Sequence, residues 1–167
     1  MMTLPQGFSP EERAEKAMAL FRQGFNCTQS VILAFADVLE ASGMASEQLL
    51  KIIGSGFGGG MGRMREVCGA FSGCTMMAGF ISPADVPADM EARKANYAIV
   101  QEFAERFRQV NGGSIVCREL LGLGKAAAPE SPAPSARTAE YYRKRPCPQI
   151  IGNAARIVAE KILARGM

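Results

Sequence analysis

No histidine occurs anywhere in the 167 residues. That removes Ser-His-Asp and Cys-His catalysis, and histidine-ligated zinc or haem, from what a single chain can do. Proton transfer near neutral pH is left to a shifted carboxylate, lysine or thiol. No Cys-x-x-Cys occurs either, so a thioredoxin-like pair is not supported. Excess charge of one sign is also missing. The net charge is only +3, and Arg63, Arg65, Arg93, Lys94, Arg106 and Arg108 are interspersed with acids, so nucleic acid is not an expected partner. The short run Arg143-Lys144-Arg145 reads as a solvated turn. Long apolar runs are absent: the most apolar stretch, Cys68 to Ile81, is too short to span a bilayer. The first residues, MMTLPQGFSPEER, lack a basic start followed by an apolar run, so no secretory signal is expected. A cytoplasmic location and no membrane insertion are the expectations.

Strand signals are lacking as well, since no window alternates apolar and polar residues. What is present is helical spacing over nearly the whole chain. Ser9-Pro10-Glu11-Glu12 opens one helix with a cap, a proline and acids, and Gly24 ends it. Asn26 caps a second that runs to Gly43, and Ser46 starts a short third. An apolar helix rich in small residues is expected from about Arg65 to Phe80, at the centre of the domain. A long polar helix spans about Pro87 to Val110, with Tyr97, Val100, Phe103, Ala104 and Phe107 as its buried stripe. Ser114 caps a short helix through Cys117, and the last helix starts near Cys147-Pro148. Residues 124–138, rich in Ala, Pro and Ser, read as an exposed loop. The expected fold is all-α: one domain over 1–167, a bundle of about six helices with a glycine-rich loop before the central one.

That loop, Gly54 to Gly62, is too rich in glycine for regular structure. It contains G-x-G-x-x-G, but the residues before it read as helix, so the dinucleotide-binding meaning of the motif is not supported. The remaining readings are a tight backbone bend, or backbone N–H groups aimed at an anionic object such as thiolates or a sulfide-bearing cluster. Gly56, Gly58, Gly59, Gly60 and Gly69 are the candidates for that contact.

The five cysteines share a placement. Cys27 follows the cap Asn26, Cys68 is expected about one turn into its helix, Cys117 follows Ser114, and Cys147 opens the last helix. Only Cys74 departs, and it reads as a small buried hydrophobe. A helix start offers unpaired N–H donors and partial positive charge, enough to bring a thiol from about 8.5 to roughly 7–8. Four converging thiolates would still repel by about 4 kcal/mol per pair at close range. Protons, disulfides or metal must neutralise them.

Phe25-Asn26-Cys27-Thr28-Gln29-Ser30-Val31, the run Gly54 to Gly62, Cys68-Gly69-Ala70-Phe71-Ser72-Gly73, and then Cys117 and Cys147 resemble the C_GCAxxG_C_C family of small bacterial and archaeal redox-active proteins. The resemblance covers about Glu12 to Ala159. One departure is that Cys68 precedes Gly69, whereas the family label places glycine before cysteine. The resemblance implies a helical domain with a metal-binding or redox function, and its four characteristic cysteines fall on Cys27, Cys68, Cys117 and Cys147. A relative of this domain is joined to haem in split-Soret-type cytochromes, where an iron–sulfur centre is suspected. This chain has no Cys-x-x-Cys-His, so haem attachment does not carry over.

The leading expectation is a redox or electron-transfer protein whose four cysteines ligate an iron–sulfur cluster, with Arg63 and Arg65 offsetting its charge. A thiol–disulfide protein with pairs such as Cys27–Cys68 and Cys117–Cys147 is the first alternative. A four-cysteine zinc module is the second. An apolar cavity around Met61, Met64, Met76 and Met77 is a fourth reading, though such methionines more often belong to a core. A redox partner protein of unknown identity and a homodimer complete the expectations.

Overall fold

A computed structural model describes residues 1–125 and 130–166. Ser9 opens α1 (Pro10–Arg22) by accepting the Glu12 amide on its side chain, and Pro10 occupies the first turn. Its buried face is Arg13, Ala14, Ala17 and Phe21, with Ala14, Ala17 and Phe21 spaced three and four apart. Asn26 and Gln29 form a reciprocal capping box at the start of α2 (Cys27–Leu33). The expected second helix is broken at Ala34–Phe35, and α3 (Ala36–Ala41) continues without a side-chain cap. Ser46 caps α4 (Glu47–Gly54).

The glycine run then leaves regular structure, as its composition requires. A 3-10 turn covers Ser55–Phe57. In the single turn α5 (Gly58–Met61), Gly59 and Gly60 take φ of 66° and 69°. The central helix α6 (Gly69–Ile81) starts later than expected, so Cys68 is its cap residue and not a first-turn residue. The long helix α7 spans Met90–Val110. Ile99, Phe103, Ala104 and Phe107 are its buried residues. Tyr97, expected in that stripe, is exposed.

Short α8 (Cys117–Leu120) follows. An unexpected helix, α9 (Ala139–Lys144), is capped by Thr138, and α10 (Cys147–Ala164) closes the chain. The expected exposed loop at 124–138 includes residues 126–129, which lie outside the described residues; the flanking described residues form no helix before Ala139. Among the described residues no strand forms, only an isolated antiparallel bridge between Val67 and Val116. The fold is all-α.

α2, α6 and α10 pack on one another, with α1 against α10 and α7 against α6. Close approach depends on glycine. A Cβ on Gly73 would lie 2.7 Å from Val31 Cβ, so α6 meets α2 backbone to side chain. Thr28 Oγ1 adds a 2.6 Å hydrogen bond to the Gly69 carbonyl. On the outside, buried Arg13 donates to the Ala34 carbonyl and to Asp37. Burial raises the Asp37 carboxyl, but Arg13 and Lys16 outweigh it and hold the group below the usual range.

Gly73→Ala therefore separates α2 from α6 and should cost about 1–3 kcal/mol. Gly79, on the same helix, has open space around it, and Gly79→Ala should stabilise by up to about 1 kcal/mol. Urea denaturation of the two variants is expected to shift in opposite directions.

Candidate redox centre

Four helix starts deliver four sulfurs to one place. Cys27, Cys117 and Cys147 are the first residues of α2, α8 and α10, and Cys68 is the cap of α6. All four line one small cavity, together with Gly60, Gly69 and the apolar side chains of Leu120, Ile150 and Ile151. The sulfur chemistry is concentrated there: Cys74 is fully buried away from the cavity, donating weakly to the Ala154 carbonyl at 3.7 Å.

Backbone pairing sets part of this arrangement. The Cys68 amide donates to the Ile115 carbonyl at 2.8 Å, and the Cys117 amide donates to the Glu66 carbonyl at 2.6 Å. These bonds flank the Val67–Val116 bridge and draw α6 and α8 together at their starts. Gly60 lies under Cys117: a Cβ there would stand 2.6 Å from Cys117 Cβ. A Cβ on Gly69 would stand 3.0 Å from Cys27 Cβ. Gly58 lies against Asn26, whose Nδ2 donates to the Gly54 and Ser55 carbonyls. Gly58 and Gly59 line the neighbouring cleft. Gly56, grouped with them on sequence, is exposed and lines neither space. The methionine cavity does not form: Met61 and Met64 are on the surface and Met77 is in the core.

The thiols differ in acidity. The neighbouring Cys147 thiol raises Cys27, and burial raises it further. In turn the neighbouring Cys27 lowers Cys147 to about 7; burial opposes this, and Arg145, Arg65 and Arg137 assist it. Burial pushes Cys68 up to about 12 against the pull of the Ala70 and Phe71 amides. Burial also raises Cys117, opposed by the Arg65 guanidinium, whose Nη1 lies 3.9 Å from the sulfur. The closest electronic partnership is thus Cys27–Cys147, a pairing different from either expected from sequence.

Arg65 reaches Cys117 from a left-handed backbone (φ 60°), as do Met61 (64°) and Arg63 (68°) nearby. Such positions cost about 1–3 kcal/mol each and gather where geometry serves a site. Glu130 grips Arg65 through both carboxylate oxygens, at 3.0 and 2.8 Å. It also pairs with Arg63 at 3.1 Å. Arg137, Arg145 and Tyr141 complete the surroundings. Sequence reasoning missed these three and Glu130. The available signal was arginine interleaved with tyrosine over 137–145.

A family model described as "Putative redox-active protein (C_GCAxxG_C_C)" matches residues 25–161. The chain belongs to the C_GCAxxG_C_C family. All four cavity-lining cysteines of this C_GCAxxG_C_C chain lie within the matched span. No curated protein and no solved structure matches the chain. Among the described residues no helix is long and apolar enough to cross a membrane.

With Cys147 depressed below the ordinary thiol value, its thiolate fraction rises through pH 7, while Cys68 and Cys74 stay protonated. Metal-free protein treated with iodoacetamide should be alkylated first at Cys147, with half-maximal rate near pH 7 by peptide mass spectrometry. Arg145→Gln should move that midpoint upward.

Proposed function

We propose that the protein is an electron-transfer protein whose four-cysteine pocket holds an iron–sulfur cluster. The observation that carries this reading is that four sulfurs from four separate helix starts line one apolar cavity. A two-thiol couple needs only Cys27 and Cys147, and leaves the convergence of Cys68 and Cys117 without a purpose. The donor set suits the group: thiolates are the usual ligands of such clusters, and apolar walls with nearby amides tune their potential. A cluster supplies one-electron chemistry when bound. The chain's own part is to hold the sulfurs, to exclude water with Ile150, Ile151 and Leu120, and to place the Arg65 cation beside Cys117.

A mononuclear zinc site is less well supported. Such a site needs four donors about one point, and among the described residues no three Cys, Asp or Glu are spaced to hold one ion. A two-iron cluster makes a different demand, because each iron takes two thiolates. The Cys27–Cys147 contact supplies one such pair.

The same contact favours a second reading, a Cys27–Cys147 dithiol. Its oxidation joins the two sulfurs and releases two protons and two electrons to an acceptor. The adjacency of the two thiols on one cavity and the acidity of Cys147 both support it.

Anaerobic purification from cells with intact cluster assembly, followed by iron and sulfide analysis, decides between the two. We expect about two of each per chain for a two-iron cluster and a visible charge-transfer spectrum. Serine replacement of Cys27, Cys68, Cys117 or Cys147 should abolish most of that signal, and Cys74→Ser should keep it. Protein that holds neither iron nor sulfide, even after reconstitution, and that forms a reversible Cys27–Cys147 disulfide would replace the first reading with the second.

A further inference from the structure

Beside the thiol pocket lies a second space, a cleft of about 340 Å³. That is the small end of the volumes that accept an organic ligand. Four guanidinium groups line it, from Arg63, Arg65, Arg137 and Arg145. Like charges so gathered repel unless something negative answers them. Glu130 answers Arg63 and Arg65. Among the described residues, no carboxylate forms a salt bridge with Arg137 or Arg145.

Those two arginines are held in place by other means. Arg137 donates to the carbonyls of Phe21 at 3.1 Å and Phe25 at 3.3 Å. Its guanidinium lies 4.1 Å from the centre of the Phe21 ring. Arg145 lies over the Tyr141 ring at 4.7 Å, and Arg137 over the same ring at 5.2 Å. Two cations thus share one aromatic ring, and neither is neutralised by a salt bridge among the described residues. Planar guanidinium groups fixed in this way suit carboxylate or phosphate oxygens, which they bind through paired N–H donors. Asn26 adds a polar side chain to the wall, and the floor reaches Cys117 and Cys147.

We propose that this cleft binds a small organic anion, carrying a carboxylate or phosphate group, directly over the cysteine pocket. Arg137 and Arg145 take the oxyanion, and the remainder of the ligand faces the sulfurs. The volume and the pre-positioned cations argue for a molecule of metabolite size. A carrier that met only other proteins would need no such cleft. The proposal does not depend on which redox group the cysteines form.

Isothermal titration calorimetry tests it on the full chain as purified anaerobically, at constant ionic strength set with chloride. Inorganic phosphate and succinate are the two probes. At least one should bind saturably at one site per chain, and the one that binds identifies phosphate or carboxylate as the preferred group. Arg145→Gln should weaken binding at least about tenfold, the loss expected for a charge-assisted hydrogen bond. Lys94→Gln, a charge loss at an exposed position on α7, should leave it unchanged. Circular dichroism checks that each variant is folded, and Arg145, whose side chain makes no hydrogen bond or salt bridge among the described residues, is the safer choice over Arg137, which makes two hydrogen bonds. If neither probe binds, or if Arg145→Gln binds as tightly as the parent, the arginines serve only the electrostatics of the sulfurs and the proposal falls. Iron and sulfide content of the same sample reads the cluster question separately.

Discussion

Around the Val67–Val116 bridge, three backbone hydrogen bonds join residues 65–68 to residues 115–118. Two segments about fifty residues apart are thereby held in register, with Cys68 and Cys117 on them. A buried backbone N–H must find an acceptor, so this pairing is favoured once the segments are inside. It works only because Gly60 leaves room for Cys117. Cys27 and Cys147 reach the same cavity by a different route, from the starts of helices that pack on α6. Thr28 fastens one of them through the Gly69 carbonyl. The centre is therefore a product of helix packing and one short pairing, and no local motif contains it.

Energy is spent locally to make this geometry. Met61, Arg63 and Arg65 each occupy left-handed backbone where an unbranched L-residue is strained. Amide hydrogen bonds from Arg63, Arg65 and Glu66 back to Gly58, Gly59 and Gly60 offset part of that cost. The result is a guanidinium aimed at a buried sulfur and anchored from behind by Glu130. Burial alone pushes every thiol here toward its neutral form. The adjacent Cys27 thiol, assisted by Arg145, Arg65 and Arg137, is what allows one of them, Cys147, to ionise near neutrality.

Much of the fold was legible because caps are local chemistry. Ser9, Asn26 and Ser46 announce their helices from side chains within a few residues. Cysteine at helix starts was legible for the same reason. Other features depend on distant chain. Cys68 moved from first turn to cap because the pairing with 115–118 keeps residues 66–68 out of the helix, which no local signal reports. Tyr97 fits the helical stripe of α7, yet the bundle offers nothing to cover it. Arg145 sits in a basic run that reads as a solvated turn; Arg143 and Lys144 are exposed but end α9, and Arg145 is half-buried. Its stacking on Tyr141, which no local pattern announces, places it at the cleft. The family resemblance added which cysteines belong together, and spacing by itself left that open.

From Gly59 to Arg63 the backbone winds against the hand of every helix around it, and Arg65 repeats that sense. Mirror-sense backbone cannot be absorbed by extending α4 forward or α6 backward, because either rod would have to reverse its screw. The two rods consequently stay mechanically separate. The tie between α4 and the sulfurs runs through α2 instead: Asn26 holds the Gly54 and Ser55 carbonyls and Gln29 the Lys51 carbonyl, so a displacement of α4 is passed to the helix start that carries Cys27.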